Sequence, residues 1–407
     1  MASFKKVQAQ NKQGYMWTCI KDGPPDPVTG KRNQIKRRGE TKKEAEARVD
    51  QALLSLKDDG IDVKRIKNMT FQKVAEEWLA AYSREKVKKS TIRVRRISLA
   101  ILNQFISAVT IDKITHRMHQ QILDDLFELK GYSRPHIEGV HVAANLIYKY
   151  AIREKYRKDN PATGARIPTR SVTVEEIERN PIEEKYFDKS ELTELLKAVD
   201  KYGLPYDREM FYLLAFSGMR SGELIALKET DFDFEINEVR ITKTLYNPDN
   251  NAKKYELTPP KTKGSIRSIQ LDPSISALMR EHIKKLKKIQ MAVMNFNPEY
   301  HAEKFVFCNE EGYPFIQKTV NRRLQRIISK AKISKEATSH IFRHTHISML
   351  TEAGIDLPTI MQRVGHDDPK TTLQIYTHIT EKMKKTAGDK VNIHFKDILP
   401  SSLAQEM

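Results

Sequence analysis

The sequence is poor in cysteine and in long apolar runs, and each shortage narrows the class of protein. Its two cysteines, Cys19 and Cys308, form no metal-spaced pair, which favours a reduced chain in the cytosol. No apolar run approaches the ~20 residues of a membrane span. The opening residues "MASFKKVQAQ" lack the apolar stretch of a signal peptide. We therefore expect a cytoplasmic protein with no membrane partner.

Acidic residues are also outnumbered. The chain has 53 aspartates and glutamates against 71 lysines and arginines, which gives a net charge of +18 and a pI near 9.5. Such an excess implies a polyanionic partner, and nucleic acid is favoured over an acidic membrane surface. At 407 residues the chain is long enough for about two or three domains, each able to bury its own core.

The first segment, to about residue 60, is predicted to be a small unit of its own. The stretch "YMWTCIKDGPPDPVTGKRNQIKRRGE" alternates apolar and polar residues, breaks at a Gly-Pro-Pro-Asp-Pro turn and resumes as a basic strand. Helical spacing follows at Ala45, Val49 and Leu53, behind Thr41 as a helix cap. This pattern predicts a hairpin or three-stranded sheet packed on one helix.

Basic residues cluster in this segment, and we interpret them as contacts to a phosphate backbone. The alternative is a solvated charged rim. They are Lys31, Arg32, Lys36, Arg37, Arg38, Lys42 and Lys43.

From about 68 to 165 every periodic segment is predicted to be helical, which indicates a small bundle. The stretch "TFQKVAEEWLAAYS" begins behind a Thr70 cap. The next helix starts in a basic stretch, where Ser90 or Thr91 is predicted to cap it and direct backbone amides at a phosphate. The candidate DNA contacts there are Lys88, Lys89 and Arg93. A generic helical adaptor is the alternative interpretation.

The bundle is predicted to end at Pro161, and residues 166–182, within "RIPTRSVTVEEIERNPIEEKYF", are interpreted as a linker. A further domain begins near residue 183, with Asp188 as a helix cap. Short strands are predicted within "EVRITKTLY", "YELTPPKTKGSIRSIQL" and "KFVFCN", and helices return from about 317 to 383. The pattern indicates a mainly helical domain with a small sheet inserted early.

Separated residues in this last domain could together transfer a phosphoryl group. Two arginines can bind the non-bridging oxygens of a phosphodiester and stabilise the charge of its transition state. Histidines can accept or donate a proton, a lysine can protonate the departing sugar oxygen, and a tyrosine can attack phosphorus. No metal or cofactor is required. The candidates are Arg220, Lys261 or Lys263, His340, Arg343, His366 and Tyr376.

Each of these residues alone also has a simpler interpretation. A lone helical tyrosine such as Tyr376 is more often part of a core than a nucleophile. His340 and His344, at i and i+4, could ligate zinc, but the glutamate of an HEXXH motif is absent and no third ligand is suggested by spacing. His344 and His346 are interpreted as packing residues or as competitors for the site.

The order of these candidate residues along the chain resembles that in the tyrosine recombinase family, specifically in the integrases of phages and integrative conjugative elements. The resemblance lies in "FSGMRSGEL" (216–224), "PKTKGSIRSI" (260–269), "SHIFRHTHISML" (339–350) and "RVGHDDPKTTLQIYTHI" (363–379).

The resemblance implies a role for each candidate. Arg220 and Arg343 would clamp the scissile phosphate, and the histidines His340 and His366 would assist. Tyr376 would attack and leave a 3′-phosphotyrosyl link with a free 5′-hydroxyl. Lys261 best matches the general acid of the family, with Lys263 as the other choice. Glu223 is interpreted as a group that orients the site.

The resemblance also implies a multidomain α+β layout. Residues 1–60 are similar to an arm-site DNA-binding domain and residues 68–165 to a helical core-binding domain. Residues 183–386 would be the catalytic domain, which is mainly helical with a small antiparallel sheet. Residues 387–407 would be a tail exchanged between protomers, because "KVNIHFKDIL" alternates apolar and polar residues before it becomes helix-like. A strand that folds back on its own chain is the alternative.

The partners implied by the resemblance are double-stranded DNA at core and arm attachment sites and further copies of the chain in a tetramer. An excisionase and a host DNA-bending protein are further partners that it allows. The compartment would be the bacterial cytoplasm. A type IB topoisomerase shares the chemistry, but the small basic N-terminal domain favours a recombinase. A non-catalytic DNA-binding regulator would leave the nucleophile set unexplained.

Overall fold

The computed structural model describes residues 2–11, 13–23, 34–59, 69–170, 182–260, 263–365 and 370–396. The chain divides into two compact units, Met1–Ser171 and Val172–Met407. The division falls within the predicted linker, residues 166–182. Among the described residues no helix is both long and apolar enough to cross a membrane.

The first unit begins with a three-stranded antiparallel sheet in the order β1-β2-β3, followed by one helix, as predicted. Thr41 caps that helix, since its Oγ1 accepts a hydrogen bond from the backbone of Glu44 at 3.1 Å. The sheet buries Cys19 and Ile35 against the helix. The elements are β1 (Ser3–Gln8), β2 (Tyr15–Asp22), β3 (Gln34–Gly39) and α1 (Lys42–Asp59).

The rest of the first unit is the predicted helical bundle around one apolar core. Thr70 caps its first helix, where Oγ1 accepts from the backbone of Lys73. The buried Arg157 guanidinium donates to the carbonyls of Ile111 and Ile114 at 2.8 and 3.2 Å and so ties the connecting loop to the bundle. The helices are α2 (Phe71–Arg84), α3 (Lys89–Ile106), α4 (His116–Glu128) and α5 (Arg134–Arg153).

The predicted cap of α3 is wrong. Lys88 is the cap residue, with an extended ψ of 140°, and its side chain makes no capping bond. Ser90 and Thr91 lie inside the first turn. A cap requires extended backbone geometry, and the chain takes up that geometry two residues earlier than the serine.

The second unit is mainly helical with small antiparallel sheets, as predicted. Its sheets are β4-β5-β8 and the separate pair β6-β7. The strands are β4 (Phe232–Asp233), β5 (Glu238–Ile241), β6 (Thr244–Tyr246), β7 (Glu256–Thr258) and β8 (Arg267–Gln270). The helices are α6 (Lys189–Tyr202), α7 (Asp207–Ser217), α8 (Ser221–Leu224), α9 (Pro273–Phe296), α10 (Gln317–Ala331), α11 (Ile341–Glu352), α12 (Leu357–Val364) and α13 (Lys370–Lys396).

The helix-capping signal at the start of this unit agrees with the structure, but the strand predicted in "KFVFCN" does not. Asp188 caps α6, and Glu191 returns a hydrogen bond to complete a capping box. The strand predicted in "KFVFCN" is instead a buried segment with isolated bridges, Lys228 to Phe305 and Cys308 to Pro314. Its residues are buried in the main core, so burial rather than strand pairing accounts for its apolar pattern.

The last helix packs on a small core of its own. Ile375 and Ile379 of α13 contact a cluster that includes Ile347 of α11 and Val364 of α12. The helix runs to Lys396. The extended segment suggested by the alternation after residue 390 is therefore wrong, because α13 continues through it.

Candidate active site

Arg220 stands where two helices meet. Helix α7 ends at Gly218, whose φ of +63° reverses the chain, and Arg220 then precedes the short α8. The Arg220 backbone N–H donates to Oε2 of Glu223 at 2.9 Å, and its Nη1 donates to Oε1 at 2.8 Å. One carboxylate therefore holds both the backbone and the side chain of this arginine.

The Glu223 carboxylate also accepts hydrogen bonds from a second arginine, Arg267. Arg267, the first residue of β8, donates from Nη2 to Oε2 at 2.9 Å and from Nη1 to Oε1 at 3.3 Å. Burial alone would raise the pKa of the Glu223 carboxyl, but the hydrogen bonds and charges of Arg267 and Arg220 outweigh it and lower the pKa. The carboxylate is thus ionised and shared between two guanidinium groups.

Arg343 is completely buried. It belongs to α11, and its Nη1 donates to the carbonyl oxygen of Gly218 at 2.9 Å. Burial and the positive charges of Arg220 and Arg267 lower the pKa of the Arg343 guanidinium, although Glu223 opposes them. Because a guanidinium stays protonated in proteins, the lowered pKa indicates that its charge is poorly compensated here.

His340 immediately precedes α11, makes no side-chain capping bond and is exposed. Protein atoms around its ring and the charges of Arg343 and Arg220 lower the pKa of the imidazole. Its ring centroid lies 5.0 Å from that of His344, edge to face. Burial lowers the pKa of His344 to about 4, with smaller contributions from His340 and Arg343. The lowered pKa values favour the neutral form of both imidazoles, and neutral His340 can accept a proton.

The charges of this cluster do not balance. Three guanidinium groups interact electrostatically with one carboxylate, and the one on Arg220 is partly exposed at 33% of its side chain. An anion bound beside Arg220 would offset the excess charge and satisfy the exposed donors. The cluster can therefore bind a phosphodiester oxygen and stabilise added negative charge on it.

The end of α12 contacts the same cluster. Gly365 ends α12 with a φ of +68°, and its carbonyl accepts from Arg220 Nη2 at 3.1 Å. His366 follows it but lies outside the described residues, as does Lys261. Lys263 opens a short 3-10 turn, Lys263–Ser265. The assignments of His366 and of the catalytic lysine stay predictions.

Tyr376 lies on α13 and is half-buried. Its side chain packs against the small core that joins α13 to α11, the helix of Arg343. Packing and a nucleophilic role are compatible here, because only part of the ring is covered. Within one chain, the helix that carries the predicted nucleophile is therefore docked on the helix that carries the most buried arginine of the cluster.

The predicted arm-site residues fall on different faces of the small sheet. Cys19 lies opposite Arg37 in the β2–β3 pairing, so Arg37 points to the α1 side, where Cys19 is buried. Lys36 and Arg38 alternate with it and lie exposed on the opposite face.

On α1, the ammonium of Lys42 lies 4.5 Å from the Trp17 ring centroid, and Lys43 is exposed. Lys31 and Arg32 lie outside the described residues. In the bundle, Lys88 is half-buried, whereas Lys89 and Arg93 are exposed at the start of α3. The described basic residues therefore lie on more than one surface. The sheet face that carries Lys36 and Arg38, here called the open face, is the one not covered by α1.

Arg267 was not predicted as a site residue, although it lies in the motif "PKTKGSIRSI". A signal was present: Arg267 shares strand parity with Ile269, which is buried. A charged residue on the apolar side of a strand indicates a buried ionic partner.

The chain is similar in sequence to known proteins. The sequence profile of the phage integrase family matches residues 185–383. The prophage ps2 probable integrase of Lactococcus lactis subsp. lactis is 32% identical over 375 residues, which are 90% of this chain and 94% of that protein.

Solved structures are similar at lower identity. The Tn1549 transposon integrase in complex with transposon right end DNA is 20% identical, with a TM-score of 0.61 over 79% of this chain and 99% of that one. The lambda integrase tetramer bound to a Holliday junction is 15% identical, with a TM-score of 0.53 over 89% of this chain and 91% of that one. These two likenesses show a shared fold. Together with the family profile and the similarity to the prophage protein over nearly its whole length, they show that the chain belongs to the phage integrase family of tyrosine recombinases, whose members are site-specific DNA recombinases.

Proposed function

We propose that this chain integrates and excises a mobile element by DNA strand exchange through a 3′-phosphotyrosyl intermediate. The observation that carries the proposal is the cluster of Arg220, Arg343 and Glu223, together with the packing of the Tyr376 helix on α11, the helix that carries Arg343. The mobile-element substrate is supported by relatives named as prophage and transposon integrases. The reaction needs neither metal nor ATP, because the guanidinium groups supply positive charge and the tyrosyl ester conserves the energy of the broken strand.

Each proposed step uses a group of this chain. Arg220 and Arg343 bind the non-bridging oxygens of the scissile phosphate and stabilise its transition state. The Tyr376 oxygen bonds to phosphorus as the bond to the 5′-oxygen breaks. His340 or His366 accepts the phenolic proton, and Lys261 donates a proton to the departing 5′-oxygen. In the second half of the reaction, the 5′-hydroxyl of the partner strand attacks the phosphotyrosine and releases the tyrosine.

The DNA partners follow from the charge distribution and from the relatives. The Tn1549 integrase was solved with transposon right end DNA and the lambda integrase as a tetramer on a Holliday junction. We assign arm-site binding to residues 1–60, core-site binding to residues 68–165 and catalysis to residues 183–386. The excess of lysine and arginine suits binding to long duplexes. An excisionase and a host DNA-bending protein belong to the proposal as partners, and the bacterial cytoplasm as its compartment.

A suicide substrate tests the proposed chemistry. A nicked duplex taken from the junction of the element that encodes the chain would trap an SDS-resistant protein–DNA adduct with the wild-type protein. Tyr376→Phe would bind the same duplex and form no adduct. Tyr202→Phe, which alters a half-exposed tyrosine of α6, is the matched control and would form the adduct normally. An adduct with Tyr376→Phe would mean that another residue is the nucleophile. No adduct with any of the three proteins on DNA that they bind would mean that the chain binds without cleaving.

Assembly is tested by removing the C-terminal segment. We propose that residues 387–407 contact a neighbouring protomer in a tetramer on two duplexes. A chain ending at residue 386 would still bind one site but would not pair two sites, as measured by the mass of the protein–DNA complexes. Unchanged tetramer formation by the shortened chain would rule out an exchanged tail.

A further inference from the structure

Arg267 is nearly enclosed, with 6% of its side chain exposed, and it uses four separate hydrogen bonds. Beyond its two bonds to Glu223, its Nε donates to the carbonyl of Arg363 at 2.8 Å. Its Nη1 also donates to the carbonyl of Ser265 at 3.0 Å. A single guanidinium therefore joins three segments that are distant in sequence.

Each of these segments carries or adjoins a residue proposed for catalysis. Glu223 holds Arg220. The carbonyl of Arg363 lies at the end of α12, just before Gly365 and His366. Ser265 closes the turn that begins at Lys263. The segments that contain Arg220, the end of α12 before His366 and the turn at Lys263 are thus all hydrogen-bonded, directly or through Glu223, to the buried Arg267.

The fit of this support is close. A Cβ added to Gly365 would lie 3.0 Å from Nη1 and 3.2 Å from Cδ of Arg267. The absence of a side chain at Gly365 therefore lets the end of α12 lie directly on Arg267, while the Gly365 carbonyl accepts a hydrogen bond from Arg220 Nη2 at 3.1 Å.

We propose that Arg267 is a positioning residue for strand cleavage, which holds Arg220, the end of α12 that precedes His366 and the turn Lys263–Ser265 in one reactive arrangement. This inference rests on the proposed function. Lysine cannot replace arginine in this role, because an ammonium group lacks the planar fork that binds a carboxylate with two donors and two carbonyls at once.

Arg267 also has an electrostatic effect that can be measured separately from packing. Burial raises the pKa of Glu223, and Arg267 is the largest influence that lowers it, followed by Arg220. The negative charge of this carboxylate also acts on Arg343 and His340, where it raises the pKa. Without Arg267 the Glu223 carboxyl would take up a proton at a higher pH. It would then release Arg220. The fall in cleavage rate on the acidic side of the pH profile, here called the acid limb, would therefore occur at a higher pH.

The experiment measures the single-turnover rate of adduct formation across pH on the nicked junction duplex. Arg267→Gln is expected to be about 100-fold slower at pH 7.5, the loss typical of a misplaced reacting group, with its acid limb at higher pH. Arg267→Lys is expected to be slow as well but to keep the wild-type acid limb, because it retains the charge. The double variant Arg267→Gln/Glu223→Gln has no carboxyl to titrate and would not show the shifted limb.

Arg240→Gln provides the matched control. Arg240 is an exposed arginine of the neighbouring strand β5, opposite Ser268, and its loss would leave the rate unchanged. Thermal unfolding and gel shifts show whether each variant is folded and binds DNA. If Arg267→Gln is unfolded, Arg267→Lys decides the matter.

Two failures are distinguishable in this design. No adduct with the wild type would overturn the proposed function. A wild-type adduct with rates for Arg267→Lys or folded Arg267→Gln equal to that of Arg240→Gln would leave the proposed function standing and overturn the role of Arg267. A slow Arg267→Gln whose acid limb matches the wild type would show a purely structural role and would also overturn it.

Discussion

The guanidinium of Arg363 donates from Nε to Nε2 of His346 at 3.0 Å, while His346 Nδ1 donates to the carbonyl of Ala215 at the same distance. A carbonyl only accepts and this guanidinium only donates, so the imidazole is neutral and carries its proton on Nδ1. Burial and the charge of Arg363 lower the pKa of His346 to about 3. The histidine therefore joins α11 to α12 and α7 only in its unprotonated form.

This pair predicts acid sensitivity of the second unit. Because the folded pKa of His346 lies below the ordinary value of 6.5, the unfolded chain binds the proton more readily between the two values. Stability is complete above about pH 6.5 and falls toward pH 3, by up to about 1.4 kcal/mol per pH unit from this residue. His346→Gln removes the titrating group, so its free energy of unfolding would vary less with pH between 6.5 and 4.5. Equal slopes for the two proteins in urea unfolding would contradict this account.

A side chain at Gly218 is expected to affect both the stability of the protein and its active site. Its φ is +63°, and a Cβ there would lie 2.7 Å from Cδ2 of the buried His346. Its carbonyl also accepts the hydrogen bond of Arg343. Gly218→Ala is therefore expected to destabilise the protein by about 2–4 kcal/mol, from backbone strain plus overpacking, and to slow adduct formation.

The control for Gly218 is Gly354→Ala. Gly354 has a similar φ of +78°, but a Cβ there would meet nothing within 4 Å. Its cost should be limited to backbone strain, about 1 kcal/mol, with adduct formation unaffected. Equal unfolding free energies for the two alanine variants would mean that the contact with His346 is relieved without cost.

The two faces of the N-terminal sheet predict a difference in DNA binding. Replacing Lys36 and Arg38 by glutamine removes charge from the open face. Replacing Arg37 and Lys42 removes the same charge from the helix side. We expect the substitutions at Lys36 and Arg38 to weaken binding to arm DNA. They should also reduce the slope of log affinity against log salt concentration by the equivalent of about 1–2 phosphate contacts, while core-site cleavage persists. The second pair serves as the control. Equal losses in salt-dependent titrations would show that the binding surface is not the open face.

The identity of the general acid is open to a chemical test. Replacing the bridging 5′-oxygen of the scissile phosphate by sulfur provides a leaving group with a thiol pKa near 8.5, which departs without a proton donor. Lys261→Ala is expected to be inactive on the oxygen substrate and active on the sulfur substrate. Lys263→Ala is expected to cleave both. The reverse pattern would assign the acid to Lys263, and failure of sulfur to rescue either variant would argue against a lysine acid.

Much of the architecture was predictable because its signals are local. Thr70 and Asp188 cap their helices through side-chain bonds to residues three positions on, and such bonds are encoded in short stretches. The small sheet with its helix follows from alternation, a turn and helical spacing. The order of Arg220, the His340–Arg343 pair and Tyr376 was sufficient to identify the family, because each residue lies in a short recognisable motif.

Some predictions failed where tertiary context overrode local preference. The start of α3 lies at Lys88–Lys89 and not at Ser90 or Thr91. The buried segment at Phe305 reads as a strand but pairs only at isolated bridges. Burial gives a helix, a strand and an irregular core segment the same apolar composition, so composition alone does not separate them.

By itself the sequence determined the family, the fold class and the residues proposed to cleave DNA. Only the tertiary structure decided how those residues are held. Arg343 reaches the carbonyl of Gly218 across 125 positions, and Arg267 reaches Glu223 across 44. Such contacts depend on packed helices and on the register of β8, which fix distances that no short motif encodes. The physical reason is that a buried charge is tolerated only where distant segments together supply its partners.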